Sequence, residues 1–374
     1  MKILLVGNYV PDKQESMLRF ADVMKQELAQ EGHEVKVIHP AEKLGRFSWP
    51  KVFDKWIAYI DKFLLFPSEL RRAAVWADVI HICDHSNSMY VKHILSKPHI
   101  ITCHDLLAVR SARGEFPVNQ VGFTGRLLQS WISRGLKSAQ FIVCDSYATL
   151  NDCKRVLNKP EDQMNVVYLG LNYPYSPMPL DEANERLSSL GIANKQRYLM
   201  SIGDNSWYKN RVSVLKIFVQ LVQCHQQDDL KLIFAGRKLT SEMNNFITEA
   251  GIENRVEQLG LISNEDLRAL YSRADALVFP SLEEGFGWPV LEAQASGCPV
   301  FASNRAPMTE VGGDAAEYFD PLSPEAAVEV IYNCLNDLQG MRKQGLQNVK
   351  IFSNELMVNG YLEAYERVCS YKIH

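Results

Sequence analysis

The sequence predicts an α/β protein built as two tandem lobes, each around a parallel sheet. Its 374 residues are too many for one ordinary core and suit two domains of roughly 100–200 residues. Short all-apolar runs recur along the chain, each ending in polar or glycine residues, and helical periodicity fills the intervals between them.

In the first lobe "KILLVG" reads as a strand buried on both faces, "SMLRFADVMKQELAQEG" has helical spacing, and "HEVKVIHP" is again a strand. This β-α-β unit implies a parallel sheet with a right-handed crossover. The rhythm continues through "ADVIHICDHSN", "PHIITCHDL", "AQFIVCDS" and "MNVVYLG", whose polar ends stand where open α/β sheets hold ligands. Clustered prolines and polar residues then break the pattern, which predicts an interdomain linker over 173–197. A second series follows in "YLMSIGDNSWYKN", "LKLIFAG", "VEQLG", "ALVFPS", "CPVFAS" and "AAEYFDP". The expected organisation is two Rossmann-like domains, 1–172 and 198–355, followed by a terminal helix at about 356–374. The stretch from Trp49 to Arg72 mixes aromatic, leucine and basic residues; it reads either as helices packed on the sheet or as an amphipathic surface for a membrane or lipid acceptor.

Composition narrows the function classes. Apolar residues make up 47% and charged ones 22%, the profile of a folded soluble protein. A net charge of −4 argues against nucleic acid as partner, since a phosphate-binding footprint should be basic. The eight cysteines are scattered without a CxxC pair, as expected of buried thiols in a reducing cytoplasm. The apolar run at the N-terminus is short for a signal peptide, and no segment has the apolar length of a membrane span.

The chemistry concentrates in "EEGFGWPVLEAQASGCPV", Glu283–Val300. Pro289 suits a first helical turn and Gly297 the position past a last one, which predicts a helix over 289–296. Its N-terminus would face Gly285, Phe286 and Gly287, a glycine loop feeding a helix and so an anion site. Glu292 is expected near the first turn and Glu284 just before the loop. Carboxylates there repel phosphate but accept paired hydrogen bonds from vicinal hydroxyls. The ligand that satisfies both is a nucleotide sugar, with phosphate in the middle and diols at both ends.

Glu284 and Glu292, with seven residues between them in "EGFGWPVLE", resemble the E-x7-E motif of the retaining glycosyltransferases of the GT-B fold, family 4. "GDNSWYKN", "LGLISNEDLRALYSRADALVFPS" and "GCPVFASNRAPMTEVGGDAAEYFDP" resemble that family's flanking segments, as do "GHEV", "ITCHDL" and "VCDSYATLND" in the first lobe. The resemblance implies two Rossmann-like domains with a cleft between them, the donor on the second, the acceptor on the first, and a last helix crossing back to the first. It implies that Glu292 accepts from ribose hydroxyls and Glu284 contacts the sugar. The amides of Gly285, Phe286, Gly287 and Trp288 would hold the sugar, and those of Val290 and Leu291 the diphosphate. Lys209 would neutralise the leaving diphosphate, a fixed cation acting where charge grows. Leu261 and Ile262 match the backbone that reads the nucleobase, and His104 matches a histidine placed beside the reacting sugar. Asp84 and His85 read either as acceptor contacts or as strand-end hydrogen bonding, as does His81.

Three departures from the family stand out. Gly203 is followed by Asp204 and Asn205 where relatives often carry an arginine, so Asn205 enters the expected donor contacts and Lys209 acts alone or with Arg237. Glu15 and Ser16 occupy the first lobe's usual Gly-Gly turn, and Trp288 replaces a usual aliphatic residue. No D-x-D occurs, so no metal or cofactor is expected beyond the nucleotide-sugar substrate.

The implied reaction is transfer of a hexose from a nucleoside diphosphate, UDP-glucose by family frequency, to a hydroxyl of a glycan or lipid-linked acceptor. The expected setting is bacterial exopolysaccharide or cell-envelope assembly, in the cytoplasm or at the inner face of the membrane. A GDP-mannose-dependent enzyme and a catalytically silent nucleotide-sugar-binding protein are the alternatives. A dehydrogenase would need G-x-G-x-x-G after the first strand, and "LLVGNYVPDKQES" lacks it.

Overall fold

The computed structural model describes residues 1–12, 14–44, 54–225, 229–335 and 338–370. The chain forms two compact units, Met1–Asn172 with Asn354–His374, and Tyr173–Ser353.

The first unit is built on six strands: β1 (Lys2–Val6), β2 (Glu34–Ile38), β3 (Val79–Ile82), β4 (His99–Cys103), β5 (Phe141–Cys144) and β6 (Met164–Val166). They pair in the order β2-β1-β3-β4-β5-β6, and every pairing is parallel. β3, β4 and β5 are buried at every residue, which is why their sequences run apolar without alternation. Two of their polar side chains, His81 and Thr102, bond to the terminal helix Asn354–Ser370. His81 Nδ1 meets the Tyr365 hydroxyl at 2.8 Å and Nε2 meets Thr102 Oγ1 at 2.7 Å, while Tyr361 bonds Thr102 at 2.9 Å and stacks on the His81 ring. His81 is therefore an anchor for that helix and not an acceptor contact. Burial drives its pKa down to about 3 and keeps the ring neutral.

The second unit repeats the plan with β7 (Arg197–Gly203), β8 (Leu230–Gly236), β9 (Val256–Gly260), β10 (Ala276–Phe279), β11 (Val300–Ser303) and β12 (Glu317–Phe319). The order β12-β11-β10-β7-β8-β9 is again wholly parallel. Each sheet reverses its winding once, between β1 and β3 and between β7 and β10, and the carboxyl ends at such points form the crevice where ligands bind.

Two expectations change. The stretch 173–197 carries the helix Leu180–Ser189, with Ala183 and Leu187 buried, and belongs to the second unit. Met178 N–H bonds Ser272 Oγ at 3.0 Å and Arg186 meets Asp266 at 3.3 Å, so the prolines there mark irregular backbone and not a free linker. Of the stretch 49–72, residues 49–53 lie outside the described residues. The remainder is helical through Trp76, with Ile57, Phe66, Pro67 and Leu70 packed inward, which favours the packed-helix reading.

Candidate active site

Lys209 and Glu284 come together at the switch point of the second sheet. Lys209 ends the short turn Trp207–Lys209 after β7, and Asn210 follows in the left-handed region, φ +51°. The Asn210 amide donates to the carbonyls of Pro280 (3.1 Å) and Pro321 (2.8 Å), tying the turn to the end of β10. Lys209 Nζ then lies 2.7 Å from Glu284 Oε1, both side chains largely buried. Burial opposes the ammonium charge, but the Glu284 carboxylate overrides it and lifts the Lys209 pKa above its ordinary value. The cation is thus fixed in place before any ligand arrives.

From Glu284 the chain turns through Gly285–Gly287 into the helix Trp288–Ala295. Gly287 takes φ +100°, a conformation that strains any residue with a Cβ, and it caps the helix with its backbone. Phe286 is buried against Trp288 and Phe352 and anchors the loop from below. The helix begins one residue before the expected start, which puts Glu292 in its second turn. It is 7% exposed, with the Tyr271 hydroxyl 3.3 Å from Oε2, so it does more than complement a helix dipole. The Val290 N–H, expected to hold diphosphate, turns back into the helix and donates to the Gly287 carbonyl at 3.0 Å. Leu291 lies buried in the same helix, while Leu261 and Ile262 follow β9 at the sheet's carboxyl edge, Leu261 fully in solvent at 89% exposure.

A further cation went unread in the sequence. Arg211, the first residue of the helix Arg211–His225, is 4% exposed. Its guanidinium bonds Asn205 Oδ1 (2.6 Å) and the Arg237 carbonyl (2.8 Å) and lies 4.9 Å over the Phe234 ring. It clamps the loops after β7 and β8, where a Cβ on Gly236 would sit 2.4 Å from the Gly203 carbonyl oxygen. Asn205 also donates to the Lys238 carbonyl at 2.8 Å, so its amide braces the loops at both ends, while the Arg237 side chain stays exposed. In sequence Arg211 is one of two cations on a mixed helix, with Lys216, and nothing marks it as the buried one.

In the first unit, Asn8 after β1 and Asp84 after β3 are hydrogen-bonded across the corresponding switch point. Asp84 also accepts from the Ser86 amide at Oδ1 (2.9 Å) and from the Ser86 hydroxyl at Oδ2 (2.6 Å), and His85 Nδ1 lies 3.1 Å from Oδ1. Burial works against both charges, but each holds the other: Asp84 stays well below the carboxylate range and His85 rises to about 9. His104 is turned inward, a correction to its expected place beside the sugar. Its Nε2 lies 3.0 Å from the Cys83 carbonyl, which can only accept, and its Nδ1 lies 3.0 Å from Asp145. Burial pushes Asp145 up to about 7, while the bond to Asp145 holds the His104 pKa above its ordinary value against burial. With both nitrogens engaged, His104 supports the loop and offers no free ring atom.

Among the described residues no group of three or more His, Cys, Asp or Glu side chains is arranged to hold a metal ion, and no helix is long and apolar enough to cross a membrane. What the second unit assembles is a fixed cation, two carboxylates and a helix N-terminus behind a glycine turn.

Known proteins resemble this chain in sequence and in fold. The family model described as glycosyl transferases group 1 matches residues 183–349, and that of glycosyltransferase family 4 matches residues 18–173. The O-antigen chain mannosyltransferase B of Escherichia coli is 29% identical over 302 residues, 79% of this chain and 77% of that protein. The D-inositol 3-phosphate glycosyltransferase of Corynebacterium diphtheriae is 24% identical over 265 residues, 69% of this chain and 61% of that protein. In fold, the HepE protein of Anabaena, solved with UDP and glucose, matches with a TM-score of 0.73 at 18% identity, covering 98% of this chain and 100% of that one. Two family models in tandem, each laid over one of two parallel six-stranded sheets, make the chain a member of the group 1, family 4 glycosyltransferases of the GT-B fold, and an enzyme of glycosyl transfer.

Proposed function

We propose that the protein transfers a hexose from a nucleoside diphosphate to a hydroxyl of a glycan or lipid-linked acceptor, with retention at the anomeric carbon. The observation that carries this reading is the Lys209–Glu284 pair, held 2.7 Å apart beside the glycine turn. In the reaction the bond from the anomeric carbon to the diphosphate oxygen breaks and negative charge grows on that oxygen. Lys209 stabilises the charge where it develops, at no cost of reorganisation. Glu284, its charge balanced by Lys209, accepts hydrogen bonds from the sugar. Glu292 accepts from the ribose, and the backbone around Gly285–Trp288 and Leu291 lines the donor. The acceptor oxygen bonds the anomeric carbon from the face the diphosphate leaves, and its proton passes to the departing phosphate oxygen. No metal is called on for these roles, and the first unit supplies the acceptor contacts.

For the sugar, a specific observation moves the reading from glucose to mannose: the relative at 29% identity over most of the chain bears the name of a mannosyltransferase of O-antigen chains. GDP-mannose is therefore the first donor to test and UDP-glucose the second, with envelope or exopolysaccharide assembly as the setting. The test is binding and slow hydrolysis of a panel of nucleotide sugars by the whole protein, with and without a chelator. The expected result is one preferred donor, hydrolysed equally well in chelator, with loss in Glu284→Ala and Lys209→Ala. Failure of every nucleotide sugar to bind, or full transfer by both variants, would sink the reading. The anomer of the product, read by NMR, tests retention.

A further inference from the structure

The helix Phe123–Ser138 of the first unit buries one side and leaves an unusual outer face. Ile132 and Leu136 point into the core, and Gly135 packs so closely on Ser88 that a Cβ would fall 2.2 Å from its carbonyl oxygen. On the outer side Phe123, Leu127 and Trp131, spaced four residues apart, form one stripe at 83%, 48% and 43% exposure. Large apolar side chains in a row at helical spacing are costly in water and are normally covered. Arg134 falls within the same stripe around the helix axis, and Arg126 and Lys137 flank it, all exposed; the helix contains no acidic residue. The Phe63 ring meets Trp131 edge-on at 6.2 Å, and its neighbour Leu64 is 68% exposed, so apolar surface continues beyond the helix. Beside Trp131 a cavity of about 240 Å³ is lined by Met89, Lys92, Trp131, Arg134, Gly135 and Ser138.

We propose that this face docks on an anionic phospholipid surface, with Phe123, Leu127 and Trp131 entering the headgroup boundary and Arg126, Arg134 and Lys137 meeting lipid phosphates. Cations set among aromatic and leucine tips on one helical face are what an interfacial helix requires. Long basic side chains lay their stems along the apolar tips and keep their charge at the phosphate level. The cavity, whose lining includes Lys92, Arg134 and Trp131, seats one phosphate-bearing headgroup. Attraction is local to this face, because the chain as a whole carries a net charge of −4. The inference does not rest on the donor reading, since every residue in it lies in the first unit.

The test is co-sedimentation of the whole protein with vesicles of phosphatidylcholine alone and of phosphatidylcholine mixed equally with phosphatidylglycerol. Binding is expected only to the anionic vesicles and should weaken with added salt. Each basic residue neutralised should weaken it roughly fivefold, and the triple variant Arg126→Gln, Arg134→Gln, Lys137→Gln on the order of a hundredfold. Phe123→Ser with Trp131→Ser should abolish it, while Val75→Ser, an exposed apolar site on another helix, should change nothing. Circular dichroism and nucleotide-sugar binding of the same variants keep misfolding, and any failure of the transfer reading, separate from failure of docking. Equal binding to both vesicle types, no binding, or variants that sediment like wild type would overturn the proposal. So would a wild-type dimer, split by Phe123→Ser, that ignores vesicles, since a second copy would then cover the face.

Discussion

Lys209 Nζ stands 2.7 Å from Glu284 Oε1, and the pair bridges the two strand ends between which the second sheet reverses its winding. A cation fixed there can stabilise a leaving diphosphate only if its position and charge precede the ligand, and the ion pair secures both. Lys209→Ala should therefore lower kcat/KM for transfer by roughly 10²–10³-fold, the range seen when one preorganised electrostatic contact is removed. Lys209→Arg keeps the charge and should recover part of the loss. Initial rates with a fixed acceptor check this, and wild-type rates in the alanine variant would remove Lys209 from the reaction.

Glu292 predicts a different signature. Its carboxylate is 7% exposed, held beside the Tyr271 hydroxyl at 3.3 Å, in the second turn of the helix that follows the glycine turn. If it accepts from ribose hydroxyls, Glu292→Gln should weaken binding of the nucleoside diphosphate itself by about 1–3 kcal/mol, the cost of a lost charged hydrogen bond. Tyr271→Phe acts through Glu292 and should cost less. Titration calorimetry with UDP and GDP separates the two, and equal affinity of wild type and Glu292→Gln for both would refute the role.

The hydroxyl of Tyr365 offers a test confined to the first unit. It meets His81 Nδ1 at 2.8 Å inside a fully buried strand. Tyr365→Phe leaves that nitrogen without its partner, and stability should fall by about 1–3 kcal/mol in chemical denaturation. Nucleoside diphosphate affinity should be untouched, because the bond serves only to fasten the terminal helix. A change in affinity without a change in stability would contradict this.

These cases show which parts of the molecule were legible in the sequence. The eight interior strands could be read because parallel strands covered on both faces run largely apolar, the four edge strands β2, β6, β9 and β12 because each continues the β-α-β rhythm, and the glycine turn because Pro289 and Gly297 bracket its helix. The partnership of Lys209 and Glu284 was not legible. The two lie 75 residues apart in the chain and meet only because β7 and β10 are neighbours in the sheet. His104 shows the reverse failure. A histidine at a strand end looks the same in sequence whether its ring faces a ligand or, as here, Asp145 and the Cys83 carbonyl. Arg211 was hidden because a buried arginine has no sequence mark of its own; its role comes from the two loops that close over it.

The buried His85–Asp84 pair makes the first unit's stability depend on pH in a definite direction. His85 is lifted from an ordinary histidine value to about 9 because, although burial disfavours its charge, Asp84 lies 3.1 Å away. A group that binds its proton more tightly when folded stabilises the fold fully below its unfolded pKa of about 6.5, and loses that contribution as pH rises through the folded value. Stability should therefore decline between about pH 6.5 and about pH 9. His81, held neutral by burial with a pKa of about 3, is uncharged in both states over that window and adds nothing to the slope. Below pH 6.5 the same His81 works the other way: the unfolded chain takes up a proton that the buried ring refuses, so acid costs stability. Thermal melts across this range should show the alkaline decline in wild type and a shallower one in His85→Gln, the remainder coming from His104, which Asp145 also holds above its ordinary value, while a flat wild-type profile from neutral to alkaline pH would show that the pair is not ion-paired in solution.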